Sequence, residues 1–209
     1  MNQEKKKSAE IAIIIIFLII FAIELFSLIY NSICSVNVYM TNMSTKVIYD
    51  LANGVNPYGK EWLDNTSAVP VTYYESGFFH IFPAVLMMKI GLSVYTASAV
   101  TNIIYVIITM LVAAITAYAY SKNLTLSLLI SSVPYFVINS RDFTVGRPDT
   151  LCTIIVFLIL YLIYKDNENP KSINDYLIAF LCVLQVFLKI HYGSIVVAVI
   201  FYYFMKGFK

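Results

Sequence analysis

The stretch that decides the fold is residues 11–30, IAIIIIFLIIFAIELFSLIY, in which almost every side chain is apolar. As an α-helix rising ~1.5 Å per residue it would be about 30 Å long, which matches the hydrocarbon core of a bilayer. Lys5, Lys6 and Lys7 precede it. A secretory signal peptide has a shorter apolar core and a small-residue cleavage site, and this stretch has neither. We therefore expect residues 11–30 to stay in the protein as its first membrane span.

The composition of the whole chain agrees with a membrane protein. Of its 209 residues, 60% are hydrophobic, and the mean hydropathy is +0.78, which excludes an ordinary soluble domain. The net charge is only +2, and no basic stripe is interleaved with aromatic residues, so a nucleic-acid partner is excluded. The 3 cysteines match neither a disulfide framework nor a metal-site spacing. Cys152 and Cys182 lie in apolar runs and are expected in the core.

The sequence predicts an all-α bundle of about six membrane spans, forming a single transmembrane domain over residues 1–209. The apolar runs after the first are residues 94–120, 124–138, 151–164, 176–188 and 194–205. Basic residues favour the cytoplasmic side, so residues 1–10 are expected to form a cytoplasmic tail and residues 31–93 a long extracytoplasmic loop. With that orientation, the inner basic residues are Lys122, Lys165, Lys171, Lys206 and Lys209, and the outer ones are Arg141, Arg147 and Lys189. We therefore expect a multi-pass protein of the plasma (cytoplasmic) membrane with its N-terminus inside. The inner connector over residues 165–175, KDNENPKSIND, is expected to be a solvated loop.

The long first loop is expected to carry two helices on the outer membrane surface. Residues 77–92 are apolar but include a histidine, a proline and a lysine, which favours an interfacial helix over a further span. A span there would move every later connector to the other side. Apolar residues recur at helical spacing in residues 37–52, and Asn53 and Gly54 would end that helix through a left-handed cap. The polar residues 53–59, NGVNPYG, would then form the bend between two surface helices.

The carboxylates, guanidinium groups and imidazoles that could converge on one site lie on the predicted outer side, together with Lys189. They are Asp50, Glu61, Asp64, Glu75, Asp142, Asp149, Arg141, Arg147, Lys189, His80 and His191. The densest cluster is residues 141–149, RDFTVGRPD, between two spans. The planar guanidinium of Arg147 suits phosphate oxygens, and Asp149, directly after Pro148, is expected to begin the next helix. The alternative is a helix cap with local ion pairs.

Polar residues also lie in or between the later spans. Lys189 stands in a tight turn, KIHYG, where it can pair with an anionic lipid phosphate or extend to the headgroups. His191 in the same turn either lies at the membrane interface without a specific role or belongs to a functional site. Glu24, inside the first span, either serves a site or is protonated or hydrogen-bonded between helices. Gln185 is expected to form a helix–helix hydrogen bond.

Four segments, in this order, resemble the GT-C superfamily of integral-membrane glycosyltransferases. They are residues 53–58 (NGVNPY), 72–92 (TYYESGFFHIFPAVLMMKIGL), 140–151 (SRDFTVGRPDTL) and 188–202 (LKIHYGSIVVAVIFY). Each segment is weak alone, and the resemblance rests on their order and predicted membrane side. It implies transfer of a sugar from a polyprenyl-phosphate donor to an acceptor at the extracytoplasmic face, as in enzymes of the cell envelope.

The resemblance also implies roles for particular residues. Arg147 and Lys189 would hold the lipid phosphate, and Asp149 matches the acidic position after the third span. The remaining candidates for substrate binding are Asn56, Tyr58, Asp142 and His191. No metal site or organic cofactor is expected, although some relatives use a divalent cation with outer carboxylates.

This sequence departs from the family pattern in two ways. Family members usually have an aspartate soon after the first span, whereas residues 36–44, VNVYMTNMS, contain no carboxylate. Glu75, or else Asp50, would have to supply the catalytic base. The family's chains are also much longer, so this chain resembles their N-terminal part, and a second polypeptide could complete the fold.

Two other functions fit the sequence. A non-catalytic or truncated membrane subunit with the same fold would explain the missing aspartate. A transporter of lipids or sugars is the third hypothesis, although the chain lacks internal symmetry and paired broken helices.

Overall fold

The computed structural model describes residues 3–34, 45, 47–55, 78–137 and 148–207, and within them it contains helices and turns but no strand. The helices are α1 (Gln3–Cys34), α2 (described over residues 47–52), α3 (Phe82–Lys89), α4 (Val94–Ser121), α5 (Leu124–Val137), α6 (Asp149–Glu168), α7 (Ser172–Leu188) and α8 (Gly193–Gly207). Two 3₁₀ turns, Phe78–His80 and Ile190–Tyr192, precede α3 and α8. The all-α prediction is confirmed for these residues.

Every predicted apolar run lies mainly in one of these helices, but the structure supports fewer spans than predicted. Within the described residues, two helical segments are long and apolar enough to cross a membrane, Val94–Ser121 and Ile190–Gly207, and Ser172–Leu188 is a shorter apolar helix. The first predicted span lies inside α1, a continuous helix of 32 residues. Six spans therefore stay a prediction, and most of the long first loop lies outside the described residues.

The segment over residues 78–92 does not form one membrane-length helix. Its α-helical part, α3, has 8 residues, so it is about 12 Å long and too short for a hydrocarbon core of ~30 Å. Ile81, Ala84 and Val85 are buried against Val47 and Ile48 of α2. The opposite face exposes apolar side chains, namely Phe79, Phe82, Leu86 and Ile90. Helix α3 therefore has one buried and one exposed apolar face, and its position on the membrane surface stays a prediction.

The predicted left-handed cap at the end of α2 is present. Gly54 has φ +79°, its N–H donates to the carbonyl of Leu51 at 3.2 Å, and the N–H of Val55 donates to the carbonyl of Asp50 at 2.8 Å. These two bonds form a Schellman motif, which requires a left-handed residue that glycine adopts at least cost. The chain therefore turns sharply at the start of the segment NGVNPYG.

Helix α4 lies at the centre of the described bundle, because it packs against α3, α5 and α6. Its buried residues are mostly small or hydroxyl-bearing: Ala97, Ser98, Thr101, Val106, Thr109, Ala113, Thr116, Ala117 and Ala119. Small side chains let neighbouring helix backbones approach closely. The hydroxyls are satisfied by backbone carbonyls, and Thr116 donates across the interface to the carbonyl of Phe157 in α6 at 3.1 Å.

A second core joins α6, α7 and α8. Its buried members are Cys152, Ile155, Ile159, Ile163, Ile178, Cys182 and Leu188. The prediction that Cys152 and Cys182 are core residues is thus confirmed. Helix α8 contributes only partly buried side chains, so most of its apolar surface is exposed.

Contacts near the helix ends fix the directions of α4, α6 and α8. Thr116 of α4 donates to the carbonyl of Phe157 in α6, and Tyr120, one turn later in α4, donates to the carbonyl of Leu160, also later in α6, at 2.9 Å. Lys206, late in α8, contacts Asp166, also late in α6, at 2.9 Å. These three helices therefore run the same way, and α5 and α7 run back between them. We call the two ends of the bundle the Asp149 end and the Glu168 end, after the first and last residues of α6.

The connector over residues 165–175 differs from its predicted form. The sequence predicts a solvated loop, but α6 extends to Glu168 and α7 begins at Ser172. The extra helical turn places Asp166 on the same stripe as buried Ile159 and Ile163, and Asp166 is only 4% exposed. Its charge is matched by Lys206, so this acid has a packing role as well as a topological one.

Candidate functional site

Asp149 is the first residue of α6, as the sequence predicts. Pro148 occupies the N-cap position and contributes no side-chain cap, since proline has no side-chain hydrogen-bonding group. The carboxylate of Asp149 therefore stands at the positive end of the helix dipole, where a negative charge is stabilised. The N-terminus of a helix is also a ready anion site, and Asp149 already occupies this one with its own charge.

Lys189 binds Asp149 directly. Its Nζ lies 2.7 Å from Asp149 Oδ1, and the two side chains are 29% and 14% exposed. Lys189 itself follows the last residue of α7. The sequence predicts that this lysine meets a lipid phosphate or reaches the headgroups, but in the structure its ammonium is held by a carboxylate. Two residues predicted separately for the site are thus brought together, and their charges cancel.

Tyr192 completes the cluster. Its hydroxyl donates to the same oxygen, Asp149 Oδ1, at 3.2 Å. Sequence reasoning missed this residue, although its spacing of three from Lys189 places it on the same side of a 3₁₀ turn, where residues i and i+3 eclipse. The other carboxylate oxygen, Asp149 Oδ2, is buried and has no hydrogen-bond partner among the described residues.

Gln185 lies one helical turn before Lys189 and is completely buried. Its Nε2 donates to the carbonyl of Cys152 in α6 at 3.1 Å, which confirms the predicted helix–helix hydrogen bond. Its Oε1, like Asp149 Oδ2, is buried without a partner in the part of the chain that the structure describes. The α6–α7 interface at the Asp149 end therefore carries two unmatched acceptor oxygens.

The start of the α3 region packs against this part of the molecule. The 3₁₀ turn Phe78–His80 contacts α7, and the carbonyl of His80 accepts a hydrogen bond from Tyr105 of α4 at 2.8 Å. His80 is only 2% exposed. The predicted long loop thus reaches the bundle at α7, the helix that carries Gln185 and leads into Lys189.

The other predicted site residues are placed as follows. His191 is exposed beside Tyr192, and its carbonyl accepts from Ser194 at 3.3 Å. Asp50 is partly buried near the end of α2. The remaining predicted residues lie outside the described part of the chain: Glu75, Asn56, Tyr58, Asp142 and Arg147. The structure therefore joins Asp149 to Lys189 and does not place those five.

The Glu168 end has a different chemical character. Lys122 donates to the hydroxyl of Tyr164 at 2.6 Å, and Tyr164 in turn donates to Glu168. This hydrogen bond with Tyr164 is the main cause that raises the pKa of Lys122 above its ordinary value. Further lysine–tyrosine contacts join Lys165 to Tyr161 and Lys206 to Tyr203. This end is a band of lysines and tyrosines, which is typical of a membrane–water interface.

The described residues contain no group of three or more His, Cys, Asp or Glu side chains able to hold a metal ion. The Asp149 end can instead offer a carboxylate with an ammonium and a phenol that both hydrogen-bond to it. Such a set can accept a proton or orient a hydroxyl group. No protein-family model, characterised protein or solved structure matches this chain.

Proposed function

We propose that this protein is a multi-pass membrane glycosyltransferase that moves a sugar from a polyprenyl-phosphate donor to an acceptor at the extracytoplasmic face. The observation that carries the proposal is the cluster of Asp149, Lys189 and Tyr192, in which Lys189 is 2.7 Å and Tyr192 3.2 Å from the same carboxylate oxygen. It lies within two of the four segments that resemble the GT-C superfamily. The lipid bilayer and a polyprenyl-phosphate-linked sugar are the partners this function requires.

The two ends of the bundle support the orientation that we propose. The Glu168 end carries Lys122, Lys165 and Lys206 beside tyrosines, and lysine-rich ends favour the cytoplasm. The Asp149 end would then face outward, and Lys5, Lys6 and Lys7 favour an N-terminus inside. In support, α4 and the segment Ile190–Gly207 are long and apolar enough to cross a membrane.

The proposed reaction makes one bond to the anomeric carbon of the sugar, breaks another, and transfers one proton. The oxygen of the acceptor hydroxyl forms a bond to the anomeric carbon of the sugar. The bond from that carbon to the phosphate oxygen breaks, and polyprenyl phosphate leaves with the electron pair. The hydroxyl proton passes to a carboxylate, for which Glu75, Asp50 and Asp149 are the candidates. A cation beside the phosphate stabilises the charge that develops on the leaving group.

The ion pair between Asp149 and Lys189 limits which cation can stabilise the leaving phosphate. Lys189 is already neutralised by Asp149, so a phosphate that bound Lys189 would have to share or break that pair. Arg147 has a planar fork suited to phosphate and is therefore the better candidate ligand. Asn56, Tyr58, Asp142 and His191 remain candidates for holding the sugar or the acceptor.

Matched variants test these roles. Purified protein in nanodiscs would be incubated with radiolabelled polyprenyl-phosphate sugars and cell-envelope lipids. Glu75→Gln and Arg147→Ala should each lower transfer by at least about a hundredfold, the contribution typical of one catalytic base or one preorganised charge. Asn167→Ala, at the opposite end, is the control and should leave transfer unchanged. Full turnover in both site variants would remove these residues from the mechanism.

A non-catalytic membrane subunit is the second candidate. It is favoured by the closed ion pair, because an ammonium held by a carboxylate can simply join α6 to α7. Replacing both charged side chains by apolar ones, in the double variant D149L with K189M, separates the two functions. If the pair is only structural, the double variant should remain folded and keep the function of the protein in the cell. If the cluster is catalytic, the double variant should lose sugar transfer.

A further inference from the structure

Two lysines share one carboxylate at the Glu168 end of the bundle. Glu168 Oε1 lies 3.9 Å from the ammonium of Lys122, and Glu168 Oε2 lies 3.8 Å from the ammonium of Lys165. The neighbouring acid, Asp166, is matched by Lys206 at 2.9 Å. Two positive charges therefore face one negative charge, and an excess of positive charge remains at this contact. We call Lys122 and Lys165 the lysine pair.

The lysine pair is open to a ligand. The side chain of Lys122 is 64% exposed, and those of Lys165 and Glu168 are each 48% exposed. Both contacts with Glu168 are longer than a hydrogen bond. An ammonium has three N–H donors, and the hydrogen bond that Lys122 makes within the described residues goes to the hydroxyl of Tyr164 at 2.6 Å. Donors are therefore left on both lysines for an accessible acceptor.

The backbone and a tyrosine hold Lys122 in position. Lys122 is the C-cap residue of α4 and has φ 52°, a left-handed conformation that favours glycine or asparagine. The next residue, Asn123, begins α5, and its Oδ1 accepts from the N–H of Leu126 at 3.1 Å. Because the turn fixes one end of the lysine and Tyr164 fixes the other, little further ordering is needed when a ligand binds.

An exposed apolar stripe on α4 leads to Lys122. Its members recur at spacings of three and four residues, so they lie on one face of the helix. They are Ile104, Ile108, Leu111, Ile115 and Tyr118. Residues 104–118 extend over about 21 Å, which exceeds half of a hydrocarbon core of ~30 Å. A lipid chain lying along this stripe would place its headgroup beside Lys122.

The charge selects the kind of lipid. Ammonium groups form strong hydrogen bonds with phosphate oxygens, and basic clusters between helices at the cytoplasmic side attract anionic headgroups. A zwitterionic headgroup brings its own cation, which the lysine pair repels. A free phosphate would gain nothing from the apolar stripe. The combination of excess positive charge and an apolar stripe therefore fits an anionic phospholipid.

We propose that Lys122 and Lys165 bind the phosphodiester of an anionic phospholipid, whose acyl chain lies along the α4 stripe. Tyr164 is a positioning residue, because it holds Lys122 beside Lys165. Glu168 opposes the ligand with its own charge and so limits the affinity. This lipid site lies at the opposite end of the bundle from Asp149, and it requires no sugar transfer.

Native mass spectrometry of the full chain tests the site. The purified protein in detergent is titrated with phosphatidylglycerol or phosphatidylethanolamine that carry the same acyl chains, and dissociation constants are taken from the lipid-bound fractions. Phosphatidylglycerol should bind at least about fivefold more tightly. Lys122→Met and Lys165→Met should each weaken its binding by about fivefold, the effect typical of one lysine at an anionic membrane surface. Lys122→Arg keeps the charge and should retain binding.

Two further variants separate a specific site from general attraction. Glu168→Gln removes the opposing charge and should tighten the binding of phosphatidylglycerol. Lys171→Met, an exposed lysine in the connector after α6, changes the net charge as much as either lysine-pair variant but should leave binding unchanged. Thermal melting identifies any variant that is not folded, and the preference of the unaltered protein for phosphatidylglycerol needs no variant.

Three results would overturn the proposal. They are equal binding of the two lipids, an effect of Lys171→Met as large as that of the lysine-pair variants, and tighter binding that fails to appear in folded Glu168→Gln protein. A competitor without acyl chains distinguishes the source of the phosphate. An excess of sn-glycerol 3-phosphate should not displace the lipid, and full displacement would identify a site for free anions instead.

Discussion

The ion pair between Asp149 and Lys189 predicts a specific stability defect in Lys189→Met. Methionine conserves most of the volume and removes the ammonium. Asp149, whose side chain is 14% exposed, is then left with Tyr192 as the one remaining side-chain donor among the described residues. Breaking a fully buried pair from one side costs about 3–5 kcal/mol. Lys189 is 29% exposed, and solvent weakens such pairs, so we expect a loss of about 2 kcal/mol in unfolding free energy.

The assay is equilibrium unfolding in bicelles by steric trapping, which reports the unfolding free energy of a membrane protein directly. The double variant D149L with K189M removes both charges and should recover to within about 1 kcal/mol of the original protein. Lys171→Met, an exposed lysine in the α6–α7 connector, is the control and should change stability by less than about 0.5 kcal/mol. A Lys189→Met protein as stable as that control would show that the pair does not contribute as the geometry implies.

Three further predictions concern other parts of the fold. Gly54→Ala should destabilise α2 and its contacts by about 1–2 kcal/mol. The cause is backbone strain alone, since Gly54 has φ +79° and no atom lies within 4 Å of an added Cβ. A thermal melt unchanged from that of the original protein would contradict the left-handed cap. Lys206→Met should lower the unfolding free energy by about 1–2 kcal/mol, because it leaves Asp166, which is 4% exposed, without its ion-pair partner. Lys165→Met removes an exposed i,i+3 pair and should lower it by less than about 0.5 kcal/mol. Equal effects would refute a packing role for Asp166. Cysteines placed at Asp64 and Asn167 should differ in sealed cells, with only position 64 labelled by an impermeant reagent; labelling of both, or of position 167 alone, would overturn the orientation.

Contacts between residues far apart in the chain could not be predicted from the sequence. The helices were predictable because each apolar run extends over several turns, and Pro148 with Asp149 and Asn53 with Gly54 are local signals for a helix start and a helix end. The contact of Lys189 with Asp149 joins residues 40 apart, and it depends on how α6 and α7 slide against each other. That register is set by the packing of Cys152, Ile155 and Leu188, which no local pattern encodes.

The placement of polar residues near helix ends was also hard to predict from the sequence. The run over residues 165–175 is polar enough to predict a loop, but the apolar stripe of α6 continues through it far enough to bury Asp166. Tyr192 was overlooked because tyrosine is common near a membrane surface, and only its spacing from Lys189 sets it apart. The five predicted site residues outside the described part of the chain remain predictions from the sequence.

Transfer of sugar from a lipid-linked donor tests the central claim most directly. The full-length protein in nanodiscs would be given polyprenyl-phosphate sugars labelled in the sugar, together with envelope lipids and polymers as acceptors. The proposed function predicts that label appears in an acceptor and that polyprenyl phosphate is released in equal amount, with transfer by the Glu75→Gln variant lower by at least about a hundredfold. A donor that binds but is neither cleaved nor used by any acceptor would contradict the claim that this protein is a glycosyltransferase.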